Sequence, residues 1–245
     1  MAKLGLDYPT KWGRSYSARF VRYLYQSYFL CPYTRHISTL EVRGVENIAG
    51  AGPFIFASNH TSNLDTPLVL SALPLERRTR TVVAAAMDNI FMKPYIAFHT
   101  VLFYNGIPID RHRVNRRSAE QALELVQDHW NLLIYPEGGR TTNGDIHEFK
   151  GGAAYLADRS KAVVIPTYVH GAGYLRAKKY AKAPKFTEGP QHRRHHVIVA
   201  FAPALRVGDD ENLRRFGARI ESAVIELGRQ VSGDPLYGNR EITSE

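Results

Sequence analysis

From residue 38 onward the chain alternates short apolar runs with longer stretches of helical periodicity, and this alternation restricts the fold more than any other feature. Runs at about 38–43, 53–58, 80–86, 107–110, 131–135, 163–168 and 196–201 have strand length and strand composition. The segments between them are long enough for crossover helices, and such alternation builds a largely parallel sheet with helices on its faces. The expectation is an α/β domain over residues 37–245, with a mixed, mostly parallel sheet of about seven strands flanked by helices. A chain of 245 residues is enough for one domain of this kind, and no internal repeat or low-complexity linker divides it. The best-marked helix is Ser118–Trp130, where Ser118 and Gln121 form a capping-box pair and Ala122, Leu123, Val126 and Trp130 share a face. A second helix spans Asn212–Val231.

Charge is distributed unevenly. Of a net +9, residues 1–36 hold +5 and residues 176–194 hold +6, which leaves the rest of the chain at −2. Local excesses of this kind point to a polyanion: a phospholipid surface, a phosphorylated small molecule, an acidic carrier protein or nucleic acid. Lys11–Leu30 sets Trp12, Tyr16, Phe20, Tyr23 and Leu24 at helical spacing with Arg14, Arg19 and Arg22 among them, which reads as an amphipathic helix. Aromatic rings favour the headgroup layer and arginines favour anionic lipid, so residues 1–36 are expected to form a membrane-interface segment. Packing of the same stripe on the chain's own core is the other reading.

Several classes drop out on simple grounds. No run approaches the roughly 20 apolar residues of a spanning helix, and Pro53–Ser58 and Val82–Met87 have only strand length. The N-terminus lacks an apolar stretch followed by a small-residue cleavage site, so a cytoplasmic protein is expected. The single cysteine, Cys31, fits a reducing compartment and excludes a zinc finger. His192, His195 and His196 lie beside Arg193 and Arg194, which oppose a cation, and there is no His-Glu-x-x-His; no metal is expected. Ala183–His196, with two prolines and dense charge, reads as a surface loop. A basic RNA-binding protein is the non-enzymatic alternative, but neither an RRM-type aromatic signature nor a KH-type loop is present, and no nucleic-acid partner is expected.

Chemistry gathers at predicted strand ends. Phe54–Asp65 runs from an apolar stretch into a polar turn that carries His60 and, five residues on, Asp65. Side chains at the carboxyl ends of strands in open α/β sheets face the ligand crevice. A tight turn brings Asp65 to the Nδ1–H of His60, sets the tautomer and leaves Nε2 to take a proton from an alcohol. The alternative makes Asp65 a helix N-cap ahead of Pro67 and His60 an ordinary turn residue. Asn105–Arg111 ends in Asp110 and Arg111, Leu132–Thr141 ends in a Pro-Glu-Gly-Gly-Arg turn, and Val163–Thr167 contains Pro166. Taken singly these are turn residues, an Asp110–Arg111 pair and a sheet-edge proline. Taken together they place carboxylates and two guanidinium forks beside glycine turns, an arrangement able to clamp a phosphate.

Four segments in order carry a family resemblance. Asn59-His60-Thr61-Ser62-Asn63-Leu64-Asp65 resembles the Asn-His-x-Ser-x-x-Asp block of the glycerol-3-phosphate and lysophosphatidate acyltransferases. Gly106–Arg111 is similar to that family's second block, Tyr135–Thr141 to its Phe-Pro-Glu-Gly-Thr-Arg-Ser block, and Val164-Ile165-Pro166 to its fourth. The resemblance implies transfer of a fatty acyl group from acyl-CoA or acyl carrier protein to a hydroxyl of lysophosphatidate or glycerol-3-phosphate, in phospholipid biosynthesis, with no cofactor. It makes His60 the general base and Asp65 its orienter, and no acyl-enzyme is required, in keeping with the absence of a Gly-x-Ser-x-Gly elbow. Arg111, Glu137, Gly138, Arg140 and Thr141 match acceptor-binding positions; Asn59, Ser62, Pro136, Ile165 and Pro166 match donor-side or structural ones. Glu137 is left either to orient the glycerol or to hold its turn. Tyr135 replaces the usual Phe, and Gly139 stands where Thr or Ser is common, so the acceptor can also be a different lysolipid. Expected partners are an anionic phospholipid surface and the acyl donor, with the protein attached peripherally to the inner face of the cell membrane.

Overall fold

The computed structural model describes residues 4–111, 116–141, 146–173, 175 and 195–233. The basic stretch 176–194, with His192, lies outside them. Among the described residues seven strands form one sheet: β1 (Ser38–Arg43), β2 (Phe54–Ser58), β3 (Thr81–Ala86), β4 (Gly106–Ile109), β5 (Asn131–Ile134), β6 (Val163–His170) and β7 (His195–Phe201). Their order is β1-β7-β6-β2-β5-β3-β4. Strands β2 to β6 run parallel to one another, and β7 meets β6 antiparallel while pairing in parallel with β1. The carboxyl ends of five strands therefore share one edge of the sheet.

Eight α-helices among the described residues complete the fold: α1 (Tyr16–Tyr25), α2 (Cys31–Ile37), α3 (Asp65–Ala72), α4 (Leu75–Arg78), α5 (Pro94–Tyr104), α6 (Arg116–Gln127), α7 (Gly152–Ser160) and α8 (Leu213–Ser232). All five residues of β2 are buried, as a strand covered on both faces requires. Phe54, Phe56, Leu133 and Ile165 pack under Leu68, Val69 and Leu70 of α3 and under Leu30. The alternate residues Ile55, Ala57, Leu132 and Val164 face Ala122 and Val126 of α6, Ala154 of α7, and Phe216 and Ile220 of α8. The side chain of Asn212 caps α8 by accepting from Arg215 N at 2.9 Å.

The structure corrects several expectations. Helix α6 begins at Arg116, so Ser118 is buried inside its first turn and forms no capping box; Trp130 lies beyond its end. His195 and His196 open β7 instead of closing a loop. Pro166 sits in a central strand, not at an edge. Its missing N–H falls where the β6–β7 ladder, which starts at Thr167 and Phe201, gives way to a bridge between Val164 and Leu205.

Lys11–Leu30 is not one helix. It is a 3₁₀ turn (Lys11–Arg14), then α1 capped by Ser15, whose hydroxyl accepts from Ala18 N, and then a π turn (Gln26–Leu30) that leads into α2 with Pro32 in its first turn. At Gly13 a Cβ would lie 2.5 Å from Val101 Cγ1, so glycine lets this segment press against α5. Arg22 is not on the surface: it is 1% exposed and plugs the carboxyl end of α5. Its Nε donates to Leu102 O at 2.8 Å, its Nη2 donates to Val101 O at 2.8 Å and Gly13 O at 2.6 Å, and Gln26 Nε2 donates to Phe103 O at 3.0 Å. These are carbonyls that a helix end leaves without intrahelical partners. Burial, with Arg14 and Arg19 nearby, pushes the guanidinium down to about 10. With Arg22 turned inward, α1 presents Tyr16 (87% exposed), Phe20 and Leu24 outward, and Phe29 (68%), Tyr95 and Phe98 are exposed as well. No helix among the described residues is long and apolar enough to cross a membrane.

Candidate active site

Strand β2 ends at Ser58 and delivers Asn59 to a fixed place. The side-chain amide of Asn59 extends the β2–β6 pairing by one rung: Nδ2 donates to Val169 O at 3.1 Å and Oδ1 accepts from Val169 N at 2.7 Å. His60 follows, with its ring 20% exposed and Nδ1 2.8 Å from Asp65 Oδ2. Asp65, fully buried, is the first residue of α3, yet it does not cap that helix. Its Oδ2 turns back and accepts from Thr61 N (2.7 Å) and Ser62 N (2.8 Å), while Leu64 N donates to Ser62 Oγ. A carboxylate held by backbone amides accepts a proton-bearing Nδ1, so the neutral imidazole carries its lone pair on Nε2.

The turn after β5 clamps the same histidine from the other side. Glu137 Oε1 accepts from His60 N at 2.6 Å and Oε2 accepts from His147 N at 3.0 Å; Thr141 N donates to His60 O at 2.9 Å. Glu137 is 7% exposed, and burial pushes its carboxyl up to about 7 despite the two amides that favour the charged form. Both of its oxygens are committed to backbone, so in this arrangement it holds the turn. Thr141, 3% exposed, directs its hydroxyl at His60 O. Tyr135 stacks on the His60 ring, with centroids 4.0 Å apart, and its hydroxyl bonds to Thr66 Oγ1 at 2.8 Å; the oxygen that a Phe would lack thus ties β5 to α3.

The profile of the acyltransferase family matches residues 39–170, more than half of the chain. The chain belongs to the acyltransferase family. It is 29% identical over 148 residues to human 1-acyl-sn-glycerol-3-phosphate acyltransferase beta, a match covering 57% of this chain and 49% of that protein. To the alpha enzyme of Mus musculus it is 30% identical over 202 residues, covering 81% of this chain and 67% of the relative. The chain spans under half the length of the human beta enzyme and of the chloroplastic relatives from Brassica napus and Arabidopsis thaliana. The crystal structure of the Thermotoga maritima 1-acyl-sn-glycerophosphate acyltransferase PlsC shares the fold, with a TM-score of 0.63 at 19% identity, covering 91% of this chain and 84% of that one.

In this member of the family most of the remaining expected residues fall at the same sheet edge. Arg140 Nη1 donates to Asn63 Oδ1 at 2.9 Å, which joins the third block to the His60 turn. Arg111, after β4, gives Nε (3.2 Å) and Nη2 (2.8 Å) to Asp88 Oδ2, just past the end of β3, and not to Asp110. Gly138 has φ of +70° and forms the bend. Pro136 O accepts from Lys150 N at 3.0 Å. Ile165 and Pro166 are buried inside β6, opposite Phe56 and Ala57 of β2. Among the described residues no cluster of three His, Cys, Asp or Glu side chains is placed to hold a metal. A groove of about 400 Å³ begins beside the turn, at Asn63, Leu64 and Pro67, and is walled by Tyr25, Phe29 and Tyr104.

Sequence reasoning missed Asp88, Asn63, Lys150 and the double duty of Glu137. Lys150 lies in Phe149-Lys150-Gly151-Gly152, immediately ahead of α7, and its Nζ donates to Arg111 O at 2.5 Å. A glycine pair before a helix start was the available signal there.

Proposed function

We propose that this protein transfers a fatty acyl group from an acyl thioester, acyl-CoA or acyl carrier protein, to a hydroxyl of lysophosphatidate or glycerol-3-phosphate. The observation that carries this reading is the 2.8 Å contact between His60 Nδ1 and an Asp65 oxygen already fixed by two backbone amides. His60 Nε2 takes the hydroxyl proton of the acceptor as its oxygen attacks the thioester carbonyl carbon. The C–S bond then breaks, and the departing sulfur takes the proton from Nε2 and leaves as the thiol, which returns the imidazole to its neutral form. General-base assistance of this kind contributes about 10²–10⁴ in rate, and positioning supplies much of the rest. Arg111 and Arg140 follow β4 and β5, where their forks can grip the acceptor's phosphate bidentately.

The apolar groove leading from Leu64 to Tyr104 suits an acyl chain, and the outward Tyr16, Phe20, Phe29 and Phe98 suit the interfacial layer of an anionic membrane. This reading places the enzyme on the inner face of the cell membrane, working in phospholipid biosynthesis. A panel tests it: purified protein with palmitoyl-CoA or oleoyl-CoA and with glycerol-3-phosphate, lysophosphatidate or other lysolipids, read by mass spectrometry. Acylation of a phosphate-bearing acceptor is expected. Acylation of phosphate-free lysolipids alone moves the assignment to another acceptor, for which Gly139, where an added Cβ would meet nothing within 4 Å and no hydroxyl is present, leaves room. No transfer to any acceptor rejects the reading.

A further inference from the structure

Lys150 stands between two of the loops whose arginines are proposed above to bind the acceptor, and its position is built, not incidental. Three backbone amides pin the segment leading to it: His147 N on Glu137 Oε2, Phe149 N on Glu221 Oε2 at 3.0 Å, and Lys150 N on Pro136 O. From that anchor the side chain crosses directly over Gly138. A Cβ at Gly138 would lie 2.6 Å from Lys150 Nζ, 3.0 Å from Cε and 3.3 Å from Cδ, so the space a side chain would occupy is filled by the lysine stem. The ammonium ends on Arg111 O.

The charges around it differ in kind. Arg111 is partly neutralised by Asp88, and Arg140 is engaged with Asn63. Lys150 meets a neutral carbonyl, and no carboxylate among the described residues pairs with it. An ammonium has three donors, so two remain for a ligand in the space between the Arg111 backbone and the Gly138 bend that leads to Arg140. A phosphate monoester carries a charge of about −1.5 to −2 at neutral pH and three acceptor oxygens, which leaves room for a third cation beside the two arginines.

We propose that Lys150 is a third cation of the acceptor's phosphate site, binding one phosphate oxygen while Gly138 keeps its path open. This inference rests on the acyl-transfer reading above. The test compares wild type with Lys150→Gln, which keeps a donor for Arg111 O but no charge, and Lys150→Arg, which restores the charge. For Gln the acceptor KM should rise about tenfold or more, as expected for losing a charge-assisted hydrogen bond, with the KM for palmitoyl-CoA unchanged; Arg should recover most of the loss. Inorganic phosphate should compete with the acceptor in wild type and do so about tenfold more weakly in the Gln variant, matching the KM change.

An unchanged acceptor KM in Lys150→Gln overturns the proposal. So does an increase confined to the palmitoyl-CoA KM, which would assign the lysine to the phosphates of the donor. If Lys150→Gln melts at a much lower temperature, Lys150→Arg and phosphate competition decide, because a merely structural lysine leaves phosphate inhibition of the folded enzyme intact. A wild type that transfers no acyl group fails the functional reading, whereas a wild type that does so with an indifferent Lys150 fails this one alone.

Discussion

The His60 turn and the outer face of α1 and α5 are built on opposite principles. At the turn nearly every polar atom is spoken for: Asp65 Oδ2 has three donors within 2.8 Å, and His60 N and O are held by Glu137 and Thr141. On the outer face Tyr16, Phe20, Tyr95 and Phe98 project with much of their surface exposed. A catalytic base must be held within a fraction of an ångström, and only directional bonds in a buried site do that. A face proposed to meet a fluid lipid surface needs area and amphipathic rings and gains nothing from register. Mutations in the two regions should therefore fail in different ways, one in chemistry and the other in partitioning.

The largest separation between them comes from His60→Ala. Turnover should fall about 10²–10⁴-fold, while the melting temperature and binding to anionic vesicles stay near wild type; loss of vesicle binding as well would erase the division of labour. Replacing Tyr16, Phe20 and Tyr95, exposed rings that do not line the groove, together by Ser should do the reverse. Vesicle sedimentation should weaken by about 10- to 100-fold, given the apolar area removed, with transfer to a water-soluble acceptor retained. Arg22→Met strikes the seam between the regions. It leaves carbonyls at the end of α5 and at Gly13 without donors, each worth about 1–3 kcal/mol if left unsatisfied, and denaturant titration should register the loss.

The smallest effect sharpens the polar side. The carboxyl of Glu137 is raised to about 7 from an ordinary 4.5, with burial as its main cause. The folded state thus favours the protonated form, and the associated stability is fully present below about pH 4.5 and lost as pH rises through about 7. Between about pH 5 and 8 the wild type should lose stability relative to Glu137→Gln, which does not titrate. Parallel melting curves for the two proteins across that range would refute the assignment.

Much of the architecture is legible in the sequence. Strands can be read because their apolar runs are short and punctuated, and each observed strand begins and ends close to its expected place; the His60–Asp65 contact can be read because both partners lie in one turn. Glu137 on His60, Asn59 on Val169 and Lys150 on Arg111 cannot, since those partners are 77, 110 and 39 positions apart and no local pattern encodes which strand ends become neighbours. Arg22 misleads for a related reason. Interleaving with aromatics is the same whether a guanidinium meets lipid or a helix end, and the carbonyl its Nε caps lies 80 positions away. Ser118 follows the capping pattern, but the helix has already begun at Arg116.

The plug of Arg22 and Gln26 into the end of α5 has a mechanical consequence. Because α1 is riveted to the helix that feeds β4, whatever takes hold of the aromatic rings also takes hold of the sheet. Under the proposed function, the tilt of the His60 turn is then inherited from the way those rings meet a lipid surface.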